Sequence, residues 1–113
     1  MQITDIKIRR TYQDTRLRAL VSLTIDGELA VHDIKVIEGP ERLFVAMPSR
    51  RDENGVFRDI AHPITTGARR QLEDAILSAY AEHMAAQAAA RQLEGGRGNS
   101  QDSRLQAEGE KRI

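Results

Sequence analysis

The feature that most constrains this chain is a change of period. Between Ile6 and Val36 apolar residues recur mainly at every second position, whereas from Ala68 onward they recur every three or four. Period 2 sends side chains alternately to the two faces of a strand, and period 3.6 draws one stripe along a helix. Strands joined by short turn signals and followed by one helix predict an α+β fold: a small antiparallel β-sheet of about five strands, then a C-terminal α-helix.

In "QITDIKIRRTY" the alternation puts Ile6 and Ile8 on one face and Lys7 and Arg9 on the other. After the turn "QDT", Leu17, Ala19, Val21, Leu23 and Ile25 share a face opposite Arg16, Arg18, Ser22 and Thr24, with Leu20 the exception. A two-residue turn at "DG" would set Leu23 opposite Ala30. A three-residue loop of Ile25, Asp26 and Gly27, with Gly27 left-handed, instead sets Leu23 against Leu29 and Val21 against Val31. Apolar parity then slips between Val31 and Ile34, which predicts a bulge at His32 and Asp33. "LFVAM" is apolar throughout, so cover is expected on both of its faces, and Pro48 ends it.

"SRRDENG" reads as a loop, "VFRDIA" as a short strand, and Thr65 or Thr66 as the N-cap of the helix. Leu72, Ile76, Ala79, Tyr80 and His83 form the helical stripe, and Gly95 and Gly96 are expected to stop it. The folded domain is expected over residues 1–94. The polar stretch 95–113 has too little apolar content to order itself and is expected to be a disordered tail. One helix covers one face of a small sheet, so a second copy is expected to cover the remainder, making a homodimer.

The sequence has no cysteine, which removes disulfides, thiolate nucleophiles and most structural zinc sites. No run approaches the roughly 20 apolar residues of a membrane span, and the N-terminal stretch lacks a signal peptide's apolar segment, so a cytoplasmic protein is expected. His32 and Asp33 are strand neighbours that point to opposite faces, His62 precedes a proline and His83 lies on the helical stripe. No metal-ligand spacing, serine elbow or phosphate loop accompanies them. The chain therefore reads as no enzyme, with no cofactor, metal or small-molecule substrate.

Its charge distribution is more informative. Formal net charge is zero, yet the basic excess falls in residues 1 to 70. Arg50 and Arg51 stand beside Asn54 and Gly55, with Arg58 on the following strand, and arginine forks bind phosphates bidentately. Asp52 and Glu53 moderate that patch. Phe57 could stack a base if exposed, but reads as core. Arg69 and Arg70 occupy the first helical turn, where a cation opposes the helix dipole by roughly 0.3 to 1 kcal/mol. They would make an anion site with the free backbone N–H groups, or pair with Glu73 and Asp74. Lys7, Arg9, Arg16 and Arg18 share the outward face of the first hairpin, as an anion surface or as an ordinary solvated face.

"VHDIKVIEG", "LFVAMPSRR" and "NGVFRDIAHPI" together resemble the stage V sporulation protein G family, SpoVG, over about residues 1 to 82. The resemblance implies the same α+β fold, a homodimer and a role in bacterial cell division and septation. It also implies a regulator of the sporulation-protein type that binds DNA site-specifically and, in some members, RNA. Arg50, Arg51 and Arg58 match the family's basic loop motif, and Arg69 a basic position at the helix start. "TTGA" departs from relatives richer in serine and threonine, and the Ala-rich extension after Tyr80 also departs. The other reading is a septation or interaction factor that works through a protein partner, with the arginines incidental.

Overall fold

The two periods carry over into six strands and a helix: β1 (Ile3–Thr11), β2 (Leu17–Ile25), β3 (Leu29–Glu38), β4 (Leu43–Ala46), β5 (Ser49–Arg51), β6 (Phe57–Asp59) and α1 (Thr66–Arg97). The computed structural model describes residues 1–97, with side chains through residue 93. β1 to β4 form an antiparallel meander in chain order, and β5 and β6 form a separate two-stranded ribbon. The expected α+β architecture is present. β5 is a correction, because Ser49, Arg50 and Arg51 pair with β6 and are not a loop.

The core lies between one sheet face and α1. Ala19, Val21, Ile34, Val36 and Ile76 are completely buried, and Leu72 and Tyr80 complete the helical side. Each of the buried Val, Leu and Ile side chains stabilises by roughly 1.5 to 3 kcal/mol relative to solvent exposure, so a handful outweighs any surface contact. The helix begins where expected: Thr65 caps it, its Oγ1 accepting from the Ala68 amide at 3.0 Å and its carbonyl from the Arg69 amide at 3.0 Å. The stop at Gly95 and Gly96 is not observed, since α1 runs through both to Arg97. Glycine costs a helix about 1 kcal/mol relative to alanine, which disfavours continuation without forbidding it after an alanine-rich run. The expected disordered tail falls largely on residues 98–113, outside the described residues.

The β2–β3 register differs from expectation by two residues. Leu23 pairs with Val31 and Ile25 with Leu29. Asp26, Gly27 and Glu28 therefore form the loop, with Asp26 and Gly27 both left-handed (φ 54° and 65°). Asp–Gly is favoured where two successive positive φ values are needed. Leu29 is consequently 60% exposed. The predicted bulge is present: pairing shifts between Val21 and Leu23, opposite His32 and Asp33, and Asp33 has φ 62°.

Val45 of β4 and Met47 just beyond it are buried in the core with α1, while Phe44 and Ala46 are only half-buried. The sheet face away from α1 has no covering element among the described residues.

Candidate functional site

The ribbon is built around Asp52. Its amide donates to the Val56 carbonyl at 2.9 Å, its carbonyl accepts from Gly55 at 3.0 Å, and Gly55 takes φ 80°. This is the three-residue hairpin loop that requires a left-handed residue in its last position. The Asp52 side chain also holds the turn, Oδ1 accepting from the Asn54 and Val56 amides at 2.9 Å each. Oδ2 accepts from Arg58 Nε at 2.8 Å. The Arg58 guanidinium, then the Val56 amide and, least, the Asn54 amide hold the carboxyl below its ordinary 3.8, against an opposing desolvation that outweighs the Asn54 contribution.

That turn sets the register of the basic residues. Arg50 lies directly opposite Arg58, and Arg51 opposite Phe57. Successive strand residues point to opposite faces, so Arg50 and Arg58 share one face of the ribbon while Arg51 shares the other with Phe57. An open depression of about 410 Å³ runs along Arg50, Arg51 and Arg58, with the acids Asp52, Glu53 and Asp59 also on its walls. Among the described residues, Asp52 pairs with Arg58, and Arg50 and Arg51 have no ion pair. Thus Asp52 restrains one specific arginine, while the other two stay available.

Phe57 is not core: it is 68% exposed. It belongs to a ribbon that neither the helix nor the main sheet covers, so its apolar character could not bury it. Val56 (50% exposed), Ile60 (66%) and Ile64 (86%) are likewise open to solvent. At its root the ribbon is tied to the body by the Ile60 amide donating to the Pro48 carbonyl at 2.7 Å, with Pro48 buried.

Arg69 and Arg70 stand exposed on the first turn of α1, which carries no acidic residue. Neither forms the alternative ion pair with Glu73 or Asp74 among the described residues. Neither lines the depression, so the structure brings Arg50, Arg51 and Arg58 together and leaves the helix pair as a separate basic element.

The first-hairpin cations divide. Arg18 pairs with Glu38 at 2.8 Å, and Arg16 Nε donates to the Glu38 carbonyl at 3.2 Å. Arg9 Nε instead donates to Ser22 Oγ at 3.2 Å, and Ser22 Oγ is hydrogen-bonded to His32 Nδ1 at 2.8 Å. Sequence reasoning missed this trio, whose members lie on three different strands. No sequence signal marks it, because Ser22 reads there as one more residue of the polar strand face and its burial emerges only in the structure. Of the other histidines, His62 Nδ1 lies 3.2 Å from the Pro63 carbonyl. His83 is partly buried on α1, and that burial pushes its pKa below the ordinary value.

A family model described as SpoVG matches residues 1–82. The chain is 56% identical over 80 residues to "Putative septation protein SpoVG 1" of Listeria monocytogenes, covering 71% of this chain and 78% of that protein. It is 51% identical over 87 residues to "Putative septation protein SpoVG" of Desulforudis audaxviator, covering 77% and 99%. With the protein of the same name from Bacillus cereus it shares 52% over 80 residues, covering 71% and 82%.

Proposed function

The chain belongs to the SpoVG family, and from that premise we propose that it is a nucleic-acid-binding regulator that serves bacterial septation as a homodimer. Arg50, Arg51 and Arg58 of the ribbon hold backbone phosphates, with Arg69 and Arg70 at the helix start as a further contact. DNA is the principal ligand and RNA a second. The observation that carries this reading is the direct opposition of Arg50 and Arg58, with Asp52 tied to Arg58 and Arg50 in no ion pair among the described residues. Like charges across a strand pair cost stability, and an incoming phosphate converts that cost into binding. A two-stranded ribbon is also an element that the major groove of duplex DNA admits.

The role is non-catalytic and cytoplasmic. No helix among the described residues is long and apolar enough to cross a membrane. The septation role rests on the names of the relatives. Dimerisation is supported by the exposed side chains of Val56, Phe57, Ile60 and Ile64, which a second copy would bury. The same exposure favours the second reading, in which a different protein docks on the ribbon.

Two measurements test the proposal. Anisotropy of a labelled duplex titrated with protein at increasing salt should give affinity that falls steeply with salt. Light scattering should give about twice 12.7 kDa. Salt-independent or absent binding, together with capture of a protein partner that Phe57→Ala abolishes, would favour the second reading.

A further inference from the structure

We infer that the open face of the four-stranded sheet binds single-stranded nucleic acid, with phosphates on Lys7, Arg9, Arg10 and Lys35 and bases stacked on Phe44 and Tyr12. This deepens the nucleic-acid reading above and rests on it, but concerns a different surface from the ribbon.

The face is defined by register. Val21 pairs with Ile34, and Ala19 with Val36, which pairs in turn with Val45; all of these face α1. The intervening pairs must therefore face away from the helix. Leu20 joins Arg10 on one side and Lys35 on the other, Lys35 joins Ala46, and Ile37 joins Phe44. Lys7 pairs with Ser22 on that same face. A shift in pairing between Ile8 and Arg10 inserts Arg9 as an extra residue, so Arg9 reaches Ser22 while Arg10 also turns outward. The Arg10 guanidinium lies 5.6 Å from the centre of the Tyr12 ring.

Three features separate this face from an ordinary solvated one. Its cations are unneutralised: among the described residues Lys7, Arg9, Arg10 and Lys35 have no ion pair, while Glu38 is taken by Arg18. Edge protection explains lysine on β1, but Lys35 lies on β3, which is flanked by β2 and β4. Arg9 is also preorganised, because buried Ser22, itself bonded to His32, fixes its Nε and leaves the Nη donors for a ligand.

Charge decides the occupant. A second copy placed on this face would bring two sets of like cations together, whereas a polyanion neutralises them. Splayed bases need apolar and aromatic platforms between the phosphate contacts, and Leu20, Ile37 and Phe44 lie among the cations. Duplex DNA, whose bases are already stacked, has no use for such platforms.

The test uses the full chain with a labelled oligothymidylate of about 15 nucleotides and a duplex of equal length, each titrated across salt. Lys7→Ala/Arg9→Ala should weaken oligothymidylate binding and lower its salt slope by about 1.4, roughly 0.7 per lost single-strand contact, while duplex binding is retained. Arg10→Gln/Lys35→Gln keeps the Arg9–Ser22 bond and should act likewise if the first variant misfolds. Phe44→Leu should weaken single-strand binding without altering the slope. An unchanged slope in a folded double variant overturns the inference. So does a double variant that loses the dimer in light scattering, which would make the face a subunit contact. If Arg50→Ala/Arg51→Ala removes single-strand and duplex binding together while the sheet variants retain both, only this inference falls. If the wild type binds neither probe, the ribbon proposal falls with it.

Discussion

Arg50 and Arg58 face each other directly across β5 and β6, and the Asp52 carboxylate reaches only Arg58, at 2.8 Å from its Nε. The ribbon therefore presents one tethered and one free guanidinium on the same face. Asp52 performs two tasks, closing the turn through the Asn54 and Val56 amides and orienting Arg58.

Replacing Asp52 with alanine should loosen the ribbon and leave the main sheet intact. Hydrogen exchange at the Val56 and Asn54 amides should accelerate by at least several-fold, with no change at Val21 or Ile34. The same loosening should follow acidification. Asp52 has a folded pKa below its ordinary 3.8, so its contribution is complete above that value and is lost as pH falls through the lowered folded one. Unchanged Val56 exchange in the variant would remove Asp52 from this role.

Side-chain truncation should separate the ribbon from the core. Phe57→Ala should change stability by no more than about 0.5 kcal/mol, because the ring is 68% exposed. Ile76→Ala, at a completely buried position, should cost about 2 to 5 kcal/mol. Urea melts at protein concentrations low enough to disfavour association are the check. A Phe57 loss as large as that of Ile76 would mean that the ring is packed after all.

Burial of His83 predicts a pH dependence of known sign. Its folded pKa lies below the ordinary 6.5, so the unfolded chain binds the proton more readily. Stability should fall as pH drops through 6.5 and level off below the lowered folded value. His83→Gln should flatten that part of a melting-temperature profile, whereas a profile steepened by the substitution would contradict the burial argument.

Arg69 opposes the helix dipole with no ion pair to Glu73 among the described residues. Arg69→Ala should therefore raise stability by roughly 0.3 to 1 kcal/mol while weakening nucleic-acid binding. Thermal melts that show destabilisation would restore the Glu73 pairing.

The alternation of Ala19, Val21 and Leu23 was legible because burial on one face imposes period 2 directly on sequence. The bulge at His32 and Asp33 was legible for the same reason, since a slip in apolar parity needs an extra residue. The β2–β3 register was not. It depends on which residues near Gly27 take positive φ, and Asp26 does so in place of the loop role expected of Ile25. Strand β5 was hidden by its polarity: "SRR" has no apolar pattern and becomes a strand only because Phe57 to Asp59 pair with it. The overlooked cue was "DENG" between two short segments, a turn signal for a hairpin. The apolar character of Phe57 says nothing about whether a covering element exists. Arg50, Arg51 and Arg58 were identifiable as a basic group, but their division between two faces needed the register.

The most direct test of the central claim is the salt dependence of duplex-DNA affinity for the wild type and for Arg50→Ala/Arg51→Ala. If both arginines hold phosphates, the variant should bind more weakly on every sequence tried, with a log–log salt slope shallower by about 1.8, roughly 0.9 per lost contact. Both side chains are exposed, so the fold should be retained, as a circular dichroism melt run alongside would verify. A folded double variant with wild-type affinity and wild-type slope would contradict the account and move the ribbon's role to a protein partner.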